Sequence, residues 1–181
     1  MKTAVFIATS LDGFIARPDD SIDWLMRPQY LIEGEDYGYA DFMSSITCLM
    51  MGRRTFDVVR KFDSWPYADK RLMVISKSVA AVPPDFPHRA ESFVGSPSAL
   101  LQQLEADGEQ GVYIDGGQLI QSCLQADLID ELTVTRLPLL LGAGLSLFGD
   151  LGVELAFEHL HTQSYQSGLV QSRYRRLRNA D

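Results

Sequence analysis

Cysteine is scarce in this chain. Its 181 residues hold two, Cys48 and Cys123, far apart and in no C-x-x-C pair. That disfavours a disulfide framework and a cysteine zinc site, and the expected compartment is the cytoplasm. Histidine numbers three. His159 and His161 stand two apart, so a strand would put them on one face, but no third metal ligand accompanies them. They are expected as exposed side chains of an edge strand, and no metal is expected. No apolar run approaches the ~20 residues that span a bilayer. The opening "MKTAVFIATSLDGF" has a short apolar stretch cut by Asp12 and reads as a strand rather than a signal peptide. Basic charge is in deficit, with 16 Lys and Arg against 24 Asp and Glu and a net charge of -8. That balance argues against a general nucleic-acid binder. Familiar nucleotide and hydrolase motifs are missing too. "GAGLSLFG" has Gly142 and Gly144 but Leu147 where a third glycine belongs, and there is no phosphate loop and no nucleophile elbow.

What is present is the ordinary balance of a folded domain, with 46% hydrophobic and 22% charged residues. The length suits one domain over 1–181. Residues 2–9 read as a buried strand and "SLDGF" as a turn. Residues 18–36 read as a long loop and 38–45 as a short helix, with a second strand over 46–51. Thr55 is placed to cap the next helix. Strands follow over 71–76, "AESFV" and "GVYID". Ser96-Pro97 opens a helix that Gly108 ends. The helix after Gly117 buries Leu119, Ile120, Cys123 and Leu124. "ELTVTRLPLLLG" reads as a strand broken by Pro138, and the tail as two strands joined near Ser167-Gly168. Alternating strands and helices imply an α/β sheet with parallel pairs, covered on both faces and made mixed by a terminal antiparallel hairpin.

Three strand ends share a pattern: Gly52-Arg53-Arg54-Thr55, Ser76-Lys77-Ser78 and Gly116-Gly117-Gln118. Ligands of open α/β sheets bind at the carboxyl ends of strands. Glycine admits close backbone approach, a helix start offers free N–H groups, and Arg, Lys and Ser add donors. Together these suit a ligand with several phosphates. Two carboxylates, Asp12 and Asp115, stand at strand ends that should face the same cleft. Either could relay a proton or hold a substrate nitrogen. Asp12 could equally be a turn-former, and Asp115 a helix cap. Phe14 and Trp24 could stack on a flat ring or pack in the core.

The segments "SLDGFIA", "LMMGRRTFDVV", "RLMVISKS", "YIDGGQLIQSCL" and "LIDELTVTRLPLLLGAGLSLF" occur in an order that resembles the dihydrofolate-reductase-like superfamily. Specifically it resembles the stand-alone members related to the reductase domain of the bifunctional riboflavin-biosynthesis deaminase/reductase. The resemblance implies a three-layer α/β/α sandwich on a mixed, mostly parallel sheet, NADPH as cofactor, and a homodimer. It implies that Gly52, Arg53 and Thr55 hold phosphates, with Ser76 and Lys77 near the adenosine 2′-phosphate. Gly116, Gly117, Gln118, Leu119 and Ile120 would cradle the pyrophosphate, and Ala8 and Ile15 would border the nicotinamide. The zinc deaminase elements of the bifunctional enzyme are missing, and Asp115 stands where its reductase domain commonly carries Glu.

The expectation is an NADPH-dependent reductase that passes a hydride to a C=N or C=O bond of a small pyrimidine- or pterin-like substrate. A non-catalytic dinucleotide-sensing module of the same fold is the alternative. A structural protein using the apolar "LPLLLGAGLSLF" surface is a third reading.

Overall fold

In the computed structural model, which describes residues 1–67, 70–77 and 82–178, side-chain alternation builds the three layers. Successive strand residues point to opposite faces. In β3 (Cys48–Gly52), Cys48 and Met50 face one side and Leu49 and Met51 the other. β4 (Arg71–Ser76) repeats this, with Met73 and Ile75 against Leu72 and Val74. One side is covered by α3 (Pro97–Ala106) through Leu100, Leu101 and Leu104, and by α4 (Gly117–Gln125) through Ile120, Cys123 and Leu124. The other is covered by α2 (Arg53–Val59) through Phe56 and Val59, and by α1 (Tyr39–Ser44) through Phe42 and Met43. Full burial on both faces explains why "CLMM" and "LMVI" are continuous apolar runs rather than alternating ones.

The main sheet has eight strands in the order β5-β4-β3-β6-β1-β7-β10-β9. Here β1 is Lys2–Thr9, β5 Ala90–Val94, β6 Gly111–Asp115, β7 Glu131–Arg136, β9 Phe157–Ser164 and β10 Val170–Arg176. The pairings from β5 across to β7 are parallel; β7–β10 and β10–β9 are antiparallel. This is the expected mixed, mostly parallel sheet with a C-terminal hairpin. Gly168 turns that hairpin at φ +83°. β9 is one of the two edge strands, and His159 and His161 are exposed on it.

Ser96 caps α3 as expected, accepting from the Ala99 N–H at 3.2 Å. Several elements differ from expectation. Thr55 is not a cap: α2 begins at Arg53 with Gly52 in the cap position, and Thr55 lies inside the first turn. The "SLDGF" turn leads into β2 (Phe14–Ala16), which pairs antiparallel with β8 (Leu145–Ser146) in a separate two-stranded sheet. The supposed loop at 18–36 contains two short 3₁₀ turns, Asp23–Met26 and Pro28–Tyr30, that bury Trp24 and Tyr30. β7 stops at Arg136, two residues before Pro138.

Candidate active site

Register brings the strand tips together. Gly52 of β3 lies beside Ile75 of β4, and Met51 lies beside Asp115 of β6. The residues that follow these strands therefore border one cleft of about 780 Å³. Its lining includes Ala8, Ile15, Gly52, Arg53, Thr55, Ser76, Lys77, Gly116, Gly117, Gln118 and Leu119. Nearly all the residues expected at a cofactor site are thus in one place. Ile120 is the exception. Its side chain is fully buried in the core under α4, and its N–H is bonded to the Gly116 carbonyl at 2.9 Å. Ser78 lies outside the described residues.

The glycine pair has a local reason in the structure. Gly116 sits at φ +102°, and a Cβ there would meet Thr55 Oγ1 at 2.2 Å. A Cβ on Gly117 would meet Ile15 Cδ1 at 2.5 Å. Glycine therefore lets the start of α4 press against α2 and β2. No side chain caps α4, so the first-turn N–H groups of Gly117, Gln118 and Leu119 remain as donors at the cleft wall. Lys77 makes no ion pair among the described residues, while Arg53 makes only a long contact of 3.7 Å to Asp57. Arg54 instead binds Asp20 at 2.6 and 2.8 Å, tying the 17–23 segment to the cleft mouth. Lys77, a loosely paired Arg53, a hydroxyl and uncapped amides make a donor set that fits a polyphosphate ligand.

The two candidate carboxylates part ways. Asp115 lines the cleft and accepts a hydrogen bond on Oδ2 from the Tyr67 hydroxyl at 3.1 Å. Burial pushes its carboxyl above the usual carboxylate range, against the opposing influence of the Tyr67 hydroxyl and the Gly116 N–H. Burial also raises the Tyr67 phenol, and the nearby Asp115 charge adds to this. Tyr39 is pushed up to about 12, again by burial first and Asp115 second.

Asp12 does not line the cleft. Its carboxylate accepts from Ser10 Oγ at 2.5 Å and from the Leu141 and Gly142 N–H groups at 3.1 and 2.8 Å. The Ser10 hydroxyl, and then these amides, hold it below its usual range. Asp12 thereby ties its own turn to the 141–142 loop. Neither aromatic substrate candidate faces the cleft. Trp24 is 0% exposed among Tyr30, Leu137 and Leu169, and Phe14, the first residue of β2, packs against Gly144.

Sequence reasoning missed Tyr67 and Asp20 in the cleft lining, and named Arg54 only as part of the Gly52–Thr55 cluster. Tyr67 is 48 positions from Asp115, and nothing in "SWPYADK" marks it as a partner.

Comparison with known proteins agrees with this geometry. The family model described as the RibD C-terminal domain matches residues 2–171. The chain belongs to that family. It is 35% identical over 154 residues to the uncharacterized protein YwjB of Bacillus subtilis, covering 83% of this chain and 84% of the relative. A putative riboflavin biosynthesis protein from Shewanella sp. PV-4 has a solved structure that superposes with a TM-score of 0.90 at 39% identity. The match covers 98% of this RibD C-terminal domain protein and 100% of that one. The fold extends to a diaminohydroxyphosphoribosylaminopyrimidine deaminase/5-amino-6-(5-phosphoribosylamino)uracil reductase of Thermotoga maritima. There the TM-score is 0.72 at 16% identity, over 97% of this chain and 56% of that one. The fold is that of the RibD C-terminal domain family.

Proposed function

We propose that this chain is an NADPH-dependent reductase acting on a C=N or C=O bond of a small heterocyclic substrate. The observation that carries the reading is the division of labour within one cleft. The donors Arg53, Ser76 and Lys77 stand at the β3 and β4 tips, and a carboxyl with a raised pKa stands at the β6 tip. A bound NADPH would supply a hydride. Arg53, Lys77, Ser76 and the α4 amides would hold its phosphates, and Ala8 and Ile15 would give its ring an apolar wall.

Asp115 supplies the other half of the reduction. The substrate carbon takes the hydride, and its nitrogen or oxygen takes the proton that leaves the Asp115 carboxyl. Tyr67 holds Oδ2, leaving Oδ1 as the oxygen that carries the proton. Water then returns a proton to the carboxylate. The homodimer expected from the family resemblance belongs to the same proposal.

The experiment is a two-stage one. NADPH is first titrated into the protein, and reduced-nicotinamide absorbance is then followed across a panel of pterins, pyrimidines and small carbonyl compounds. Saturable binding with substrate-dependent oxidation supports the reductase. Saturable binding with only slow oxidation across the whole panel supports the sensing module instead.

A further inference from the structure

We infer that a second cavity, apart from the cleft, binds a small apolar carboxylate with its charged end at Arg136. The cavity measures about 360 Å³ and shares no lining residue with the cleft. Strand alternation makes its floor. Leu132, Val134 and Arg136 point to one face of β7. Register sets Tyr174, Ser172 and Val170 of β10 beside them in that order, and all six line the cavity. The residues between them, Glu131, Thr133 and Thr135 with Arg173 and Arg175, belong to the opposite face. The polar side of these strands is therefore the other one, and this side is built for apolar contact. Leu124 of α4, Phe148 and Leu151 add walls. They leave the floor open: Phe148 is 50% exposed and Val170 41%.

One end of this floor is charged. Arg136 closes β7, and Leu132 lies roughly 13 Å back along the strand at about 3.3 Å per residue. Arg136 is the one charged residue that lines the cavity among the described residues. It makes no ion pair or side-chain hydrogen bond among them. The arginines of β10 differ: Arg173 holds Glu131 at 2.6 Å and Arg176 holds Asp127 at 2.7 Å. The Ser172 hydroxyl is engaged by Thr162 Oγ1 at 2.8 Å. The cavity thus offers one unpaired guanidinium and a hydrocarbon trough leading away from it. A guanidinium fork matches the two oxygens of a carboxylate. An alkyl or aryl tail would cover Val134 and Leu132 in place of water. A sugar would leave its hydroxyls against Leu and Phe side chains with no partners.

The test titrates octanoate, octanol and octylamine separately into the full chain by calorimetry. No dinucleotide is present, so the result is independent of the reductase reading. We expect octanoate to saturate one site per chain and to bind at least about tenfold more tightly than octanol, a difference of about 1.4 kcal/mol. Octylamine should bind most weakly. Arg136 is exposed, so Arg136→Gln should keep the fold while bringing octanoate to within about threefold of octanol. Equal binding of octanoate and octanol by the parent overturns the inference. So does absence of octanoate binding at millimolar concentration, or its loss in Lys77→Ala rather than in Arg136→Gln. Sedimentation of the parent and of Phe148→Glu gives the remaining arm. The two are expected to have the same mass. A dimer that falls to monomer in Phe148→Glu would mean that a second copy covers this face, and overturns the inference as well.

Discussion

The Tyr67 hydroxyl donates to Asp115 Oδ2 at 3.1 Å across the floor of the cleft. The phenol favours the charged carboxylate, while burial favours the neutral acid, and burial dominates. Asp115 therefore holds its proton above the ordinary carboxylate range. Turnover that uses this proton should fall as pH rises through the raised pKa. Tyr67→Phe removes the favouring bond, so the falling limb of the pH–rate profile should move to higher pH. Asp115→Asn should leave cofactor binding nearly intact and lower turnover by about 10²-fold or more. A pH profile of kcat for both variants checks this, and an unshifted limb in Tyr67→Phe removes the phenol from the account.

The same carboxyl makes a statement about stability. Its folded pKa lies above its unfolded value of 3.8, so between the two values the folded state binds more protons. Stability then declines as pH rises through that window and stays reduced above it. Asp115→Asn abolishes the decline, and urea melts at pH 4 and pH 7 should differ less in the variant than in the parent.

Asp12 behaves oppositely. Its pKa is lowered first by Ser10 Oγ and then by the loop amides. The stability it gives is present above 3.8 and is lost as pH falls through its lower folded value. Asp12→Asn should reduce stability at neutral pH and blunt acid sensitivity, while leaving the kcat pH profile in place. A displaced profile would return Asp12 to the chemistry.

Gly116→Ala combines a left-handed φ with a clash against Thr55. It should cost about 1–3 kcal/mol. Adding Thr55→Ala removes Oγ1 and should restore part of that loss, so the two substitutions are non-additive in a double-mutant cycle of urea melts. Strict additivity would mean that strain at Gly116 does not involve Thr55.

Much of this was legible in the sequence where periodicity is strong. "CLMM", "LMVI" and "GVYID" gave strands because both faces are buried, and the α4 stripe gave its core face. The strand-tip cluster was legible because parallel strands put their carboxyl ends on one side. The three-residue β2 and two-residue β8 are too short to show a period. Of its two readings Trp24 takes core packing; the segment reads as a loop because it is Pro- and Asp-rich, yet its 3₁₀ turns wrap a small core of their own. Asp12 and Asp115 looked equivalent at strand ends. Only the loop amides from 141–142 and the distant Tyr67 distinguish them, and both are long-range contacts.

The most direct measurement of the central claim is calorimetric titration of NADPH and NADH into the parent protein and into Lys77→Ala. The account predicts one saturable site per chain, tighter binding of NADPH than of NADH, and a loss of about tenfold or more for NADPH in Lys77→Ala, as for a charge-assisted contact of about 1.5–3 kcal/mol. Absence of dinucleotide binding at millimolar concentration, or binding indifferent to Lys77, would contradict it.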